Sequence, residues 1–291
     1  MKLFDDGKRF YRANLHAHTT NSDGAYTPEE CMACYRGMGY DILAITDHKK
    51  VTKPQSVPEG LLHIPGIELD YNLPTQVVHL LGLGVPEDIA FPPCSTGEPQ
   101  AGVDAIRSAG GRVILAHPAW SLNTTEFICS LQGITATEVW NSVSTAPYNA
   151  RRGDSSSLLD VASANGQVLP MVASDDTHFY GQEIAAGWTM IQADELTLPA
   201  VLDALDKGRF YATQGPAFHQ AELSDGYLRI KCSAAEMIVF YSNTPWVGGR
   251  TVVGHGLTSA AYRIMPNDTF VRCEIIDAEG KSAWLSPIRL K

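Results

Sequence analysis

The chain has no run near the about eighteen consecutive apolar residues of a membrane-spanning helix. Its opening residues, MKLFDDGKRFYRANLH, hold no apolar core of secretory-leader length. Those absences set the expectation of a soluble cytoplasmic protein without a membrane partner. Cations are scarce too: 22 Lys and Arg stand against 32 Asp and Glu, a formal charge of −10 with histidines neutral. Such a balance offers no broad basic surface to a polyanion, so no stable nucleic-acid partner is expected. A small anionic substrate stays open, because bound divalent cations reverse the potential of an acidic pocket. The six cysteines, Cys31, Cys34, Cys94, Cys129, Cys232 and Cys273, are too dispersed for a dense disulfide framework, and reduced thiols are expected. Repeats and low-complexity tracts are missing as well.

What the chain does have is 44% hydrophobic and 19% charged residues, a composition able to bury a large core. Its 291 residues suit one large domain with a small appendix. From residue 10 to about 215, short β-branched or apolar runs (YRANLHAH, DILAITDH, LLHIPGIEL, QVVHLLGLG, RVILAHP, ITATEVWN, QVLPMVASDD, AGWTMIQ) alternate with helical patterns. The first helix is well marked, with Thr27 as N-cap, Pro28 at the first helical position, Glu30 at the third and Gly39 past the end. Further helices are expected in PQAGVDAIRSAGG, RRGDSSSLLDVASANG and TLPAVLDALDKG, the last with Thr197 as cap. Roughly seven βα units in this length predict an α/β fold closed as a TIM-like barrel rather than an open sheet. After Gly215-Pro216 the texture turns to alternating strands, with hairpin turns at Asp225-Gly226 and Glu279-Gly280. The expected division is a barrel at 1–215 and a small all-β sandwich at 216–291.

Against this pattern the ligand-type residues fall in a telling place. His16, His18, His48, Glu68, His117, Asp176 and His178 stand at or just past the C-terminal ends of successive strands, and His79 sits within one. In a parallel barrel those ends share one rim, where the chemistry of such enzymes is found. The HAH alternation turns His16 and His18 to one face. Imidazoles and carboxylates together suit zinc, iron or manganese. Two or three such cations can activate a water, hold a phosphoryl or acyl oxygen and stabilise the leaving oxygen, which makes ester hydrolysis the leading reaction class.

Taken in order, NLHAHTTNSDG, AITDHK, GIEL followed by HLLGLG, LAHP and SDDTH resemble the polymerase-and-histidinol-phosphatase (PHP) family of metal-dependent phosphoesterases, over roughly residues 10 to 215. The resemblance implies a distorted seven-stranded βα barrel with two or three divalent metals at its mouth. His16 and His18 would hold one metal with Glu68 and Asp176. Glu68 would bridge to a second on His79 and His117, and His48 with His178 would hold a third. Relatives carry a histidine near Asp23 or Gly24 where only the Asp23 carboxylate can coordinate here. The barrel with DKGRFYATQGP and a β-rich tail also resembles a two-domain branch of the family, some of whose members hydrolyse non-phosphate esters or carbamates.

Other residues have plainer readings beside the functional one. Asp23 fits a Ser-Asp-Gly turn as well as a ligand, and Asp47 and Asp175 fit ligand-orienting or turn-capping roles. The CMAC pair reads as a packed helix face, and His63, His219 and His255 lie outside every motif. Arg151 and Arg152, before a helix N-terminus, are the candidate grip on an anion, and Asn141 is a candidate substrate contact at a strand end. The function expected is hydrolysis of a small phosphate ester of nucleotide or sugar-phosphate type, with Asp176 or His178 protonating the leaving oxygen. The alternatives are a carboxylic ester, amide or carbamate hydrolase at the same centre, and a metal-loaded binding or sensing protein. The tail leaves self-association open.

Overall fold

A computed structural model describes residues 1–4, 7–94 and 98–291. The first apolar run forms β1 (Phe10–Asn14), and the TPEE segment starts α1 (Pro28–Gly37). Thr27 Oγ1 accepts from Glu30 N at 3.3 Å while the Glu30 carboxylate accepts from Thr27 N at 2.9 Å, a reciprocal cap worth about 1 kcal/mol. The chain continues through β2 (Ile42–Ile45), β3 (Leu62–Asn72), β4 (Val77–Leu83), α2 (Pro99–Ser108), β5 (Arg112–Leu115), α3 (Thr125–Ser130), β6 (Ala136–Asn141), α4 (Ser156–Ala164) and β7 (Met171–Ser174). Then come β8 (Trp188–Gln192), α5 (Leu198–Asp206), β9 (Phe210–Thr213), β10 (Phe218–Ser224), β11 (Tyr227–Tyr241), β12 (Thr251–Arg263), β13 (Phe270–Ile276), β14 (Ser282–Leu285) and β15 (Ile288–Arg289). The result is a mixed α/β fold around a large sheet. No helix among the described residues is long and apolar enough to cross a membrane.

Strands β1 to β7 neighbour one another in chain order. β1–β2, β2–β3, β5–β6 and β6–β7 pair in parallel, and β3–β4 and β4–β5 antiparallel. Past the ends of β1 and β7 the backbone meets again: Asp176 N donates to His16 O and His18 N to Thr177 O, both at 3.0 Å. Asn14 staples this seam, its amide donating to His16 O at 2.9 Å and its carbonyl accepting from Asp175 N at 2.9 Å. One buried apolar cluster draws on all seven strands through Ala13, Ile42, Ile64, Leu81, Ile114, Ala136 and Val172. Full burial of each branched side chain here contributes about 1.5–3 kcal/mol.

Seven regular βα units are not what forms. Among the described residues from β1 to β7, helices fill the connections after β1, β4, β5 and β6, and α5 follows β8. β3 and β4 are joined by the four residues between Asn72 and Val77, with Leu73 N donating to Gln76 O at 2.9 Å. So short a connection holds no crossover helix and forces antiparallel pairing. α3, capped by Thr124, whose Oγ1 accepts from Phe127 N, was not anticipated because six residues are too few to display a helical period.

The eighth apolar run leaves the parallel set. β8 lies antiparallel on the outer edge of β1, Phe10 opposite Gln192, and leads through β9 to β14, β13, β11 and β10. The hydrogen-bonded path thus runs continuously across Gly215-Pro216, because Ala283–Leu285 of β14 pair with Tyr211–Thr213 of β9. Asp225 and Gly226, with φ of 52° and 74°, make the two-residue hairpin turn between β10 and β11. Gly280, φ 75°, turns β13 into β14. A second apolar cluster, including Phe218, Leu228, Phe240, Val271 and Ile275, packs these C-terminal strands with Phe4 from the start of the chain.

Candidate metal centre

The strand ends and loops on the seam side collect the ligand-type residues. His16 and His18 lie just beyond β1, His48 beyond β2, His117 beyond β5, and Asp176 and His178 beyond β7, while His79 is within β4. Glu68 does not end its strand: β3 runs on to Asn72, because Glu68–Asn72 pair with Val77–Leu81 of the hairpin. His117 (φ 31°) and Asp176 (φ 54°) occupy the left-handed region, a cost of about 1 kcal/mol or more each that a site imposes on non-glycine residues.

Three sets of side chains have ligand atoms within 4.8 Å of one another: His16, His18, Glu68 and Asp176; Glu68, His79 and His117; and His18, Asp23, His48 and His178. In the first set His16 Nε2 and His18 Nε2 are 3.1 Å apart. Glu68 Oε2 is 3.2 and 3.0 Å from those two nitrogens, and Asp176 Oδ1 is 3.0 and 3.2 Å from them. Bonds of about 2.0–2.2 Å to a tetrahedral ion put neighbouring ligands about 3.3 Å apart, so this set has the right edge lengths. Glu68 turns its other oxygen to the second set, with Oε1 2.8 Å from His79 Nδ1 and 3.7 Å from His117 Nε2. The third set is looser and half open: Asp23, whose side chain is 54% exposed, stands 3.5 Å from His178 Nε2 and 3.7 Å from His48 Nε2.

The donor set passes a simple test for a cation. Asp176 Oδ1 is sealed from solvent and makes no hydrogen bond, although two imidazole nitrogens lie about it; His48 Nδ1 is likewise without one. A buried polar atom left without a hydrogen-bond partner among imidazoles and carboxylates is one that a bound cation would satisfy. The electrostatics agree. Burial works against charge on His18, yet Asp176 and Glu68 overcome it and raise the imidazole to about 9. His16 is raised well above its usual value in the same way by Asp176, Glu68 and Glu138. Burial pushes Glu68 and Asp176 up, and the surrounding histidines outweigh it and hold both carboxyls low. The site therefore attracts positive charge, which a divalent ion supplies.

The supporting groups explain why the side chains stay aimed. Glu138, fully buried on β6, places Oε1 3.0 Å from His16 Nδ1, while its Oε2 accepts from His117 N at 2.9 Å and Asn141 Nδ2 at 2.8 Å. Asp47, also fully buried, accepts from Thr19 N, Thr19 Oγ1 and Ser22 Oγ, each at 2.7 Å, and from Thr52 Oγ1, fixing the loop that carries Asp23. Asp175 accepts from Tyr35 Oη, Ser142 Oγ and the amides of Ala185, Ala186 and Gly187, and burial raises its carboxyl to about 6. Glu138 escaped the sequence reading, although a lone carboxylate inside the apolar run TATEVWN was a signal for it.

Of the three residues expected to meet substrate, Asn141 lies inside the site and Arg151 and Arg152 lie outside the cavity lining. Asn141 is fully buried: its amide donates to Glu138 and to Asp176 Oδ2 at 3.1 Å, and its carbonyl accepts from Ser144 N, so it orients a ligand and touches no solvent. Arg151 and Arg152 are exposed and are not among the cavity-lining residues. At the helix start beside them Asp154 Oδ1 accepts from Ser156 N at 2.7 Å, while the N-cap residue Ser155 makes no side-chain capping bond. The cavity over the ligand sets, about 240 Å³, is walled by Asp23, His48, Glu68, His79, His117, Asp176 and His178 together with Trp120, Val143, Ser144, Asn149 and Phe179. His63, His219 and His255 lie apart from the three sets, and Cys31 and Cys34 are free thiols on α1.

Known proteins are similar to this chain in fold and in part of its sequence. No protein-family model matches the chain. Over 86 residues it is 35% identical to the 5'-3' exoribonuclease Rnm of Salmonella typhimurium and 34% identical to that of Escherichia coli; each match spans 27% of this chain and 29% of the relative. The fold is similar over 99% of the chain to 97% of a Bacteroides vulgatus structure described as a two-domain protein containing predicted PHP-like metal-dependent phosphoesterase, with a TM-score of 0.55 and 16% identity. At that identity the likeness is one of fold. The chain thus resembles the PHP family in the order of its motifs and in its architecture.

Proposed function

We propose that this chain is a metal-dependent hydrolase of phosphoesters, acting on a small phosphate ester of nucleotide or sugar-phosphate type. The observation that carries the reading is the sharing of Glu68 between two ligand sets beneath one cavity, with a third set beside them. Under this reading residues 1–215 form a distorted seven-stranded barrel and residues 216–291 a small β-sandwich domain joined to it through the β14–β9 pairing; the apolar cluster drawn from β1 to β7 and the seam at Ala17 and Thr177 support the barrel.

Two or three divalent ions (zinc, iron or manganese) held by His16, His18, Asp23, His48, Glu68, His79, His117, Asp176 and His178 would polarise the phosphoryl oxygens and make water a competent nucleophile. The protein's own part is orientation and proton handling. Glu138 holds His16 through Nδ1 and so presents Nε2 to the cluster, and Ser121 does the same for His117, 2.9 Å from its Nδ1. His178 Nδ1 donates to Asp176 O at 2.8 Å, which leaves Nε2 to face the cavity, where it would either complete the third ligand set or, with two ions bound and that set unfilled, hold a proton for the leaving oxygen. Asp176, buried between His16, His18 and Asn141, serves better as a ligand than as a proton donor.

A second reading rests on a specific likeness. The relatives matched over 86 residues are named exoribonucleases, so an RNA end is a candidate phosphoester despite the acidic balance of this chain. Hydrolysis of a carboxylic ester, amide or carbamate, or metal-dependent sensing without turnover, would use the same ligand sets. Turnover of an aryl phosphate, a bis-aryl phosphate, an aryl ester and a short 5'-phosphorylated RNA by metal-loaded protein separates them. His16→Ala and Glu68→Ala are expected to abolish phosphoester turnover while leaving the fold intact by circular dichroism. Undiminished turnover in either variant overturns the assignment.

A further inference from the structure

We propose that Phe179 and Trp120 make the cavity selective for esters whose alcohol carries a flat aromatic ring close to the phosphoryl group; this rests on the phosphoesterase reading above. Phe179 is 60% exposed, a large apolar ring that folding leaves in water directly after the ligand-type His178. It is held there by the structure around it. The Tyr148 ring lies parallel to it, 5° between planes and 4.8 Å between centroids, and Tyr148 Oη accepts from Gln182 N at 2.8 Å. The buried Glu183 carboxylate accepts from the amides of Phe179, Tyr180 and Gly181 at 2.8, 2.7 and 3.0 Å. A buried anion and a stacked tyrosine thus fix an exposed ring at the edge of the cavity, which packing alone does not call for.

Trp120 supplies the other aromatic surface. It makes T-shaped contacts with His117 (centroids 4.9 Å, 82°) and His79 (5.9 Å, 69°), and Nε1 donates to Asn149 Oδ1 at 3.1 Å. With its polar atom engaged, the indole that lines the cavity offers it apolar aromatic surface. Both rings and Val143 line the same space, whose volume of about 240 Å³ accommodates a phosphoryl group and one ring, with the rest of a larger substrate outside. The recognised chemistry is a planar π-system, from a nucleobase or from a simple aryl alcohol.

The test compares benzyl phosphate with cyclohexylmethyl phosphate on metal-loaded protein, a pair with similar leaving groups that differ in flatness. The corresponding phosphonates, measured by calorimetry, report binding without turnover. Wild-type protein is expected to favour the flat member by about 10-fold, chiefly in KM and in phosphonate affinity. Phe179→Leu and Trp120→Leu, which keep apolar volume and lose the π-face, are expected to bring the ratio near one. Absence of a preference in the wild type, or its survival in both variants, overturns the proposal. A phosphonate preference that Phe179→Leu removes, without turnover of any ester, keeps the aromatic selectivity and removes the phosphoesterase reading. Adenosine 5'-monophosphate in the same binding assay identifies the source: Phe179-dependent binding points to a nucleobase, and binding of the benzyl compound alone to an aryl alcohol.

Discussion

Glu138 Oε1 lies 3.0 Å from His16 Nδ1, and neither side chain has any exposure to solvent. Two buried groups at that distance fix the imidazole's rotation and its tautomer together, which leaves Nε2 available to the ligand set. Glu138→Gln keeps the shape and removes the charge. It is expected to weaken metal affinity by roughly 10–100-fold in chelator-competition titrations, with little change in far-ultraviolet circular dichroism. Unaltered affinity would show that His16 is oriented by something else.

Stripping metal should cost stability. The three ligand sets bring Glu68, Asp176 and Asp23 together with six histidines, and an ion that binds only the folded chain stabilises it by mass action, about 2.7 kcal/mol at a concentration 100 times its dissociation constant. Chelation is therefore expected to lower Tm by several degrees, and readdition of zinc or manganese to restore it. Identical melting curves before and after chelation, with metal loss verified by elemental analysis, would count against the ligand assignment.

Gly24 sets the third ligand set apart from the first two. A Cβ there would run into the carbonyl of His18 and stand 2.6 Å from Thr19 N, both backbone atoms that cannot turn aside. Gly24→Ala is expected to displace Asp23 and lower the bound-metal ratio by up to one ion per chain. Metal content by emission spectroscopy checks this, and a full complement in the variant would mean that Asp23 is not needed.

Arg272 joins the C-terminal strands to α4. Its side chain is 1% exposed, sits 3.8 Å from the Tyr241 ring centroid and meets Asp160 through Nε and Nη2 at 2.6 and 2.7 Å. Removing one partner of a buried pair typically costs 3–5 kcal/mol, so Asp160→Ala is expected to destabilise by about 3 kcal/mol in urea unfolding. Replacing both partners by apolar residues should recover most of that loss. A cost under about 0.5 kcal/mol for the single variant would show the bridge to be idle.

His63 gives the fold an acid sensitivity separate from the site. Burial holds its imidazole down at about 4, and its Nε2 has no hydrogen-bond partner. An unfolded histidine titrates near 6.5, so between these values the unfolded chain binds more protons than the folded one. This contribution is whole above about pH 6.5 and is lost as pH falls toward 4, at most about 3 kcal/mol. His63→Gln is expected to flatten the Tm profile in that window; an unchanged slope would assign it to other groups.

How far the sequence could be read depended on whether a feature is local. The Thr27 cap, the Asp225-Gly226 turn and the interval from strand to ligand in HAH, TDH, AHP and SDDTH each lie within a few residues, and local hydrogen bonding or pleat geometry dictates them. Glu68 was found as a residue and misplaced as a strand end, because the hairpin that prolongs β3 is defined by its partner β4. Arg151 and Arg152 were named from their approach to a helix start, and their side chains end up exposed and outside the cavity lining.

The sequence by itself determined which residue types are available for a metal centre, their order along the chain, and the mixed α/β character, since composition, periodicity and capping are properties of short segments. Tertiary structure alone decided that Glu138 faces His16, that Asn141 bonds Glu138 and Asp176, that Glu68 divides its two oxygens between ligand sets, and that Trp120 and Phe179 share one cavity. Those meetings depend on strand register and on the seam between residues 16–18 and 176–177, where groups some 160 positions apart in sequence reach bonding distance only after the strands have paired.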